Sequence, residues 1–253
     1  MILLLDIGNT HTHLGVANTR HVVRQGAIPT HGWFSGRASA SVRRFFRRST
    51  IEYICLCSVV PRATKRAVVA LRKLCGRPVL ELTPKTLRGV GIDYPRPATI
   101  GPDRLANAVA VHHYFGAPSV VVDFGTAVTF DVVDRKGNYS GGIIAPGLAV
   151  MTDYLHEKTA LLPRIMIRDT KSVIGKSTSE AMLIGAVQGY RGLVRALLTS
   201  LRRELKSPRL PVVATGGYAE LMADKMPEIT AVNPRLTLEG LRLVALAHQA
   251  PIL

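Results

Sequence analysis

Apolar residues gather in short runs that break at glycine, asparagine and proline, and two of these runs end alike. Ile2 to Leu5 leads into Asp6-Ile7-Gly8-Asn9-Thr10, and Val120 to Val122 leads into Asp123-Phe124-Gly125-Thr126-Ala127. A further run follows each, His13 to Ala17 and Val128 to Val133. Short β-branched runs bounded by glycine predict strand, tight turn, strand, with an aspartate closing the first strand. The remaining pattern predicts strands over residues 21–27, 53–60 and 78–82, a basic amphipathic helix over 38–48 and a helix over 62–74. Residues 83–99 carry Pro84, Gly89, Gly91, Pro95 and Pro97 and predict a long loop, a length that tends to serve function. A helix over 102–115 starts with proline in its first turn and Asp103 near the positive end of its dipole.

Gly116-Ala117-Pro118 divides an N-terminal lobe, 1–115, from a C-terminal lobe, 116–253. The second lobe predicts strands over 119–123, 127–134 and 139–144, then a helix over 148–158. A polar stretch leads to a long helix over 177–205. A buried strand over 211–215 ends in Gly216-Gly217, a helix starts at 218, and the last helix covers 236–247. The related order of elements in the two halves predicts an internally duplicated α/β chain.

Bulk properties narrow the class. The 253 residues are 47% hydrophobic, enough for two sizeable cores and too apolar for disorder. No apolar run spans a bilayer, and the N-terminal run lacks the basic flank of a signal peptide, so no membrane role is expected. Three cysteines without a CxxC fit a reducing cytoplasm, and Cys55 and Cys57 read as one face of a buried strand. The net charge of +16, with Arg43-Arg44 and Arg47-Arg48 grouped, raises nucleic-acid binding. Solvated helix faces are the favoured account, because the basic residues alternate with apolar ones at helical spacing and no DNA-binding module is present.

The two turns carry the first chemistry. Glycine permits close backbone approach, bare N–H groups with Asn and Thr side chains suit phosphate, and the aspartate suits a hard cation beside it. Two such turns facing each other would grip a nucleoside triphosphate. Gly101-Pro102-Asp103-Arg104 is a second constellation. Its carboxylate can take a proton from a hydroxyl while the guanidinium holds an anion. The same residues also suit a capped helix start with a surface ion pair, and spacing alone does not choose. Gly141-Gly142-Ile143-Ile144-Ala145-Pro146-Gly147 reads as a ligand approach or as a plain hairpin turning into a helix. Ala214-Thr215-Gly216-Gly217 reads as a nucleotide contact or as an ordinary strand-to-helix turn.

The ordered set DxGNT, GxDR, DxGTAxT, GGxxxPG and ATGG resembles type III pantothenate kinase, from Asp6 to the Leu236–Leu241 segment. The resemblance implies a two-lobed, duplicated ribonuclease H-like fold of the actin and sugar-kinase type, with mixed central sheets flanked by helices. It implies ATP-dependent phosphorylation of pantothenate to 4'-phosphopantothenate, the first step of coenzyme A synthesis. Asp103 matches the general base. Asp6, Ile7, Gly8, Asn9, Thr10, His11, Thr12 and His13 match the first phosphate loop, with Asp6 near Mg²⁺. Thr126, Gly216 and Gly217 match ATP contacts, and Asp123 a K⁺ or NH₄⁺ ligand. Tyr94, Gly101, Pro102, Asp103, Arg104 and Thr178 match pantothenate positions. The family's habit implies a homodimer whose partner helps close the pantothenate pocket, in the cytoplasm.

Some members carry a basic residue just after the first loop, where this chain has His11, Thr12 and His13. A packed histidine is favoured there over a phosphate contact. His112-His113 lacks a third ligand at metal spacing and reads as structural or interfacial. A non-catalytic accessory transcriptional regulator and another small-molecule kinase of the superfamily are the competing functions. Asp6, Asp103, Arg104, Asp123 and Thr126 together speak against the first, and Tyr94 upstream of GxDR against the second.

Overall fold

Two mixed sheets with the same internal order dominate the computed structural model, which describes residues 1–249. The first contains β1 (Ile2–Ile7), β2 (His11–Ala17), β3 (Val22–Pro29), β4 (Tyr53–Ser58) and β5 (Val79–Glu81), ordered β3-β2-β1-β4-β5. Helix α1 (Arg37–Phe46) lies between β3 and β4, and α2 (Pro61–Cys75) between β4 and β5. A two-residue strand β6 (Gly91–Ile92) follows, then α3 (Pro102–Phe115). The second series is β7 (Ser119–Phe124), β8 (Ala127–Val133), β9 (Asn138–Pro146), α4 (Leu148–Lys158), α5 (Thr178–Glu204), β10 (Val212–Thr215), α6 (Ala219–Ala223) and β11 (Ala231–Val232). Its strands run β6-β9-β8-β7-β10-β11, and the five from β9 to β11 repeat the first order. In both sheets the leading strand pairs antiparallel with the next and parallel with the one after its crossover. This is the duplication that the sequence pattern predicts.

The chain forms two compact units. One contains residues 1–116, 137–140 and 235 onward, and the other 117–136 and 141–234. The last helix, α7 (Leu236–Ala247), which the sequence assigns to the C-terminal lobe, therefore packs within the first unit, against α3, β1 and β4. The reason is steric and polar. Gly240 lies so close to the Ala106 carbonyl that a Cβ would overlap it. Glu239 accepts the Val22 N–H at 2.7 Å and the Tyr114 hydroxyl at 3.0 Å, and pairs with Arg242 at 2.6 Å. Arg242 also donates to the Thr19 carbonyl. A buried charge needs such partners, so this helix is tied to β3 and α3.

Each unit has its own core. In the first, Leu3, Leu5 and Ile7 of β1 pack with Leu14, Leu56, Val42 and Leu71. In the second, Leu183, Val187, Tyr190, Val194 and Leu198 form one stripe along α5 at helical spacing, facing Val120, Phe130 and Val212. Element ends shift slightly from the pattern. β4 stops at Ser58 because Val60 caps α2 and Pro61 opens it. The 83–99 loop contains β6 and a 3₁₀ turn at Pro97–Thr99.

Candidate functional site

Asp6 is the penultimate residue of β1, where its backbone pairs with His13 on one side and Cys57 on the other. The chain turns back through Gly8, whose N–H donates to the His11 carbonyl at 3.0 Å. Asn9, Thr10 and His11 stand exposed, while Ile7 is core. Side chains from a distant segment fix this turn. Thr30 donates its hydroxyl to the Gly8 carbonyl at 2.7 Å and its N–H to the Thr10 carbonyl at 2.9 Å. Thr12 is buried, its hydroxyl 3.1 Å from that of Thr30 and accepting from the Trp33 indole at 3.0 Å. Thr12 thus braces the turn from beneath. Partial desolvation, with the charge of His11 beside it, holds His13 below the ordinary imidazole range. The residue is nevertheless exposed, as His11 is, so neither histidine is packed into the core.

The Asp103 turn belongs to the same unit. Gly101 caps α3, Pro102 takes its first position, and Asp103 follows in the first turn. The Asp103 carboxylate accepts the Arg104 N–H at 2.9 Å. Gly101 leaves space for that carboxylate, since a Cβ would come within 2.5 Å of it. Burial raises the Asp103 proton affinity above a free carboxyl, and the Arg104 N–H and guanidinium oppose the rise in part. The Arg104 guanidinium lies 5.8 Å from the centre of the Tyr139 ring, and Tyr94 meets that ring edge-on at 6.1 Å. Asp103, Arg104 and two tyrosines therefore form one wall, offering a base, a cation and apolar faces.

Cys57 links the two acids. Its thiol donates to Asp6 Oδ1 at 3.3 Å. Burial pushes its proton affinity up, and the Asp6 and Asp103 charges push it further. Both carboxylates therefore lie within electrostatic reach of one buried thiol. Sequence reasoning took Cys57 as strand filling and passed over Tyr139, Thr30 and Trp33. Strand pairing brings Cys57 and Tyr139 into place, while Thr30 and Trp33 lie in a 3₁₀ turn directly after β3 and reach the site through side-chain hydrogen bonds.

In the second unit, Asp123 sits on β7 with Thr129 and Thr215 as its register partners. Gly125 donates to the Ala127 carbonyl at 3.1 Å, and Gly147 to the Thr126 carbonyl at 3.1 Å. Thr126 itself is exposed. A Cβ at Gly147 would overlap the Thr126 carbonyl. Gly216 has φ +90°, and a Cβ there would lie 2.5 Å from Asp123 Oδ1 and 2.7 Å from Phe124 backbone atoms. Gly217 has open space around the same position. Asp123, Thr126, Gly147 and Gly216 thus come together, with Gly217 beside them as bare, exposed backbone. Thr178 stands at the exposed first position of α5. Ser177 caps that helix by accepting from the Glu180 N–H at 3.2 Å, and Glu180 accepts the Lys176 N–H. Ser177 thus makes the N-cap half of a capping box, while Glu180 reaches one residue further back, to Lys176.

Among the described residues no group of three or more His, Cys, Asp or Glu is arranged to hold a metal. A nucleotide-borne Mg²⁺ needs no such cage, because one or two carboxylates suffice when phosphates and water complete its octahedron. Asp6 beside a bare turn fits that donor set. His112 is engaged elsewhere, with Nδ1 3.1 Å from the Gly89 carbonyl. No helix of the described residues is long and apolar enough to cross a membrane.

Residues 2–200 match the model of the type III pantothenate kinase family. A type III pantothenate kinase of Akkermansia muciniphila is 46% identical over 243 residues, covering 96% of this chain and 97% of that one. One from Methylacidiphilum infernorum is 41% identical, covering 96% and 87%. Among solved structures, a Campylobacter jejuni protein whose description names the Baf family of transcriptional activators has a TM-score of 0.63 at 18% identity, with 98% of each chain covered. The ROK hexokinase of Thermus thermophilus reaches 0.50 at 16%, also with 98% of each covered. These two likenesses show the fold, an α/β architecture shared with sugar kinases. With its family model matched over most of its length and relatives of this identity covered almost end to end, the chain belongs to the type III pantothenate kinase family.

Proposed function

We propose that this protein transfers the γ-phosphoryl group of ATP to the 4'-hydroxyl of pantothenate, with Asp103 as general base. The observation that carries the reading is the Asp103 carboxylate, raised in proton affinity by burial and placed one residue from a guanidinium held against Tyr139. Arg104 pairs with the pantothenate carboxylate in a charge-assisted hydrogen bond. Tyr94, Gly101 and Pro102 complete the binding wall. Asp103 accepts the hydroxyl proton as the oxygen attacks, and holding the hydroxyl in line supplies much of its value. The turn from Asp6 to His13 and the exposed Thr126 contact the phosphates, and Gly216-Gly217 the adenosine. Asp6 would lie near the Mg²⁺ that accompanies ATP and Asp123 would hold a monovalent cation, K⁺ or NH₄⁺, and these cations would offset charge on the phosphates.

The test measures ADP release with ATP and pantothenate, with and without K⁺. Asp103→Asn, which keeps the shape of the side chain, should lower kcat by about 10²–10⁴-fold. An unchanged rate in that variant removes Asp103 from the mechanism. The pH profile gives a second check. A base must be unprotonated, so activity falls as pH drops through the Asp103 value, which burial places above the ordinary 3.8. Arg104 lowers that value, so Arg104→Gln should move the acid limb upward as well as weakening pantothenate binding.

The working form is proposed to be a cytoplasmic homodimer. Val150, Met151, Tyr154 and Leu155 share one exposed face of α4, and Leu161 and Met166 after it are 89% and 83% exposed. Apolar exposure of this extent in one stretch calls for cover, and a second copy provides it. Such an interface would let Thr178 of one copy serve the other's pantothenate pocket. Tyr154→Glu with Leu155→Glu should yield a monomer in sedimentation and raise KM for pantothenate. A variant that stays dimeric refutes the interface.

A further inference from the structure

Four arginines, Arg24, Arg44, Arg47 and Arg48, line a recess of about 320 Å³ in the first unit. None of the proposed catalytic steps uses it. Arg24 lies on β3, the edge strand of its sheet, and its neighbour in register is Val16, which pairs with Leu3. Asp6 pairs three positions along, with His13 and then Ala27. At about 3.3 Å per residue, the Arg24 level is about 10 Å along the strand from Asp6, and on the second strand over. The recess is therefore apart from the phosphate turn.

Its walls are built rather than incidental. Gly26 leaves room for the Phe45 ring, which a Cβ would meet at 3.0 Å. That ring carries the Arg24 guanidinium 4.8 Å from its centre. The Nε and Nη2 atoms of Arg24 are buried and have no hydrogen-bond partner among the described residues. Arg44 lies in the last turn of α1, Arg47 is its C-cap and Arg48 follows directly, and all three line the recess. The negative end of a helix dipole accommodates a cation there, at roughly 0.3–1 kcal/mol. Four guanidinium groups around one recess exceed that, and buried donors left unmatched are costly.

We propose that this recess is a second anion site, which binds a small polyphosphate through the four guanidinium forks. Arginine matches phosphate oxygens two at a time, and several forks around one cavity suit an anion of several charges better than a monoanion. A nucleic acid is disfavoured, because sequence-tolerant strand binding uses aromatic rings to stack bases, and Phe45 already lies beneath Arg24.

The full chain is titrated calorimetrically with inorganic tripolyphosphate while a saturating non-hydrolysable ATP analogue fills the nucleotide site. One further binding event is expected, weakened about tenfold or more when Arg44→Gln and Arg48→Gln are combined, since each fork lost is worth a charge-assisted bond. Both arginines are exposed, so the fold and the turnover measured without tripolyphosphate should be unchanged. Arg24→Gln should weaken the same event independently. Equal binding by wild type and the double variant, or no further event at all, overturns the proposal. A single-stranded oligonucleotide that binds more tightly than tripolyphosphate, with the same dependence on the arginines, also overturns it in favour of nucleic acid.

Discussion

The two aspartate turns share a strand order, yet they are held in opposite ways. The Asp6 turn is fixed by side chains, with Thr30, Thr12 and Trp33 bonding to it or beneath it. The Asp123 turn is fixed by backbone pressed against backbone, where Gly147 and Gly216 have no room for a side chain. Duplicated topology therefore did not preserve the means of support. The first unit carries the groups proposed to do chemistry, Asp103 and Arg104, next to a hydrogen-bonded frame. The second presents closely packed main chain that tolerates no added atom at two of its glycines. If this contrast is right, the two turns fail under different substitutions.

The largest effect is expected from Gly216→Ala. The residue keeps φ +90°, which costs a non-glycine residue about 1–2 kcal/mol, and its Cβ meets the Asp123 carboxylate and the Phe124 backbone. Forced overpacking adds about 1–3 kcal/mol. Urea unfolding should show a loss of roughly 2–5 kcal/mol with little change in slope. Gly147→Ala should behave alike, since its Cβ would overlap the Thr126 carbonyl. A stable Gly216→Ala protein would mean that the second turn yields easily, and the contrast would collapse.

Thr30→Val probes the other mode of support at similar volume. It removes the bonds to the Gly8 carbonyl and the Thr12 hydroxyl. A net hydrogen bond contributes about 0.5–1.5 kcal/mol, so a loss of about 1–3 kcal/mol is expected, with KM for ATP raised because the turn is no longer fixed. Trp33→Phe, which loses the indole bond to Thr12 and leaves a gap in the core where the larger ring sat, should cost about 1–3 kcal/mol and affect KM less. Stability lost without any change in KM would show that the frame is structural only.

These supports also mark where the sequence is readable. The paired turns, the helix that opens at Pro102 and the stripe along α5 follow from local periodicity and capping chemistry, which act over a few residues. The Thr30 and Trp33 brace does not, because nothing near residue 30 announces a partner at Gly8. The β2–β3 register sets Pro29 opposite His11, and the 3₁₀ turn Thr30–Trp33 that follows brings the two side chains to it. Tyr139 reads as one more strand residue until β9 pairs with β6 and places it beside Tyr94 and Arg104. Helix α7 reads as the end of the second half because chain order is visible and the Glu239–Arg242–Tyr114 network is not. Gly216 and Gly217 look identical in sequence, and only the structure separates a glycine that has no room from one that has.

Gly217→Ala sharpens that separation and should have the smallest effect on stability. No heavy atom lies within 4 Å of the position its Cβ would take, and its backbone is not in the left-handed region. Unfolding free energy should therefore change by less than about 0.5 kcal/mol, as for a surface substitution away from special features. Any loss must then appear in nucleotide binding, because the added methyl group occupies the space where the adenosine is proposed to lie against bare main chain. KM for ATP should rise while KM for pantothenate and the acid limb of the pH profile hold, since Asp103 and Arg104 are untouched. A variant with unchanged KM for both substrates would take Gly217 out of the nucleotide site and leave Gly216 as a packing glycine only.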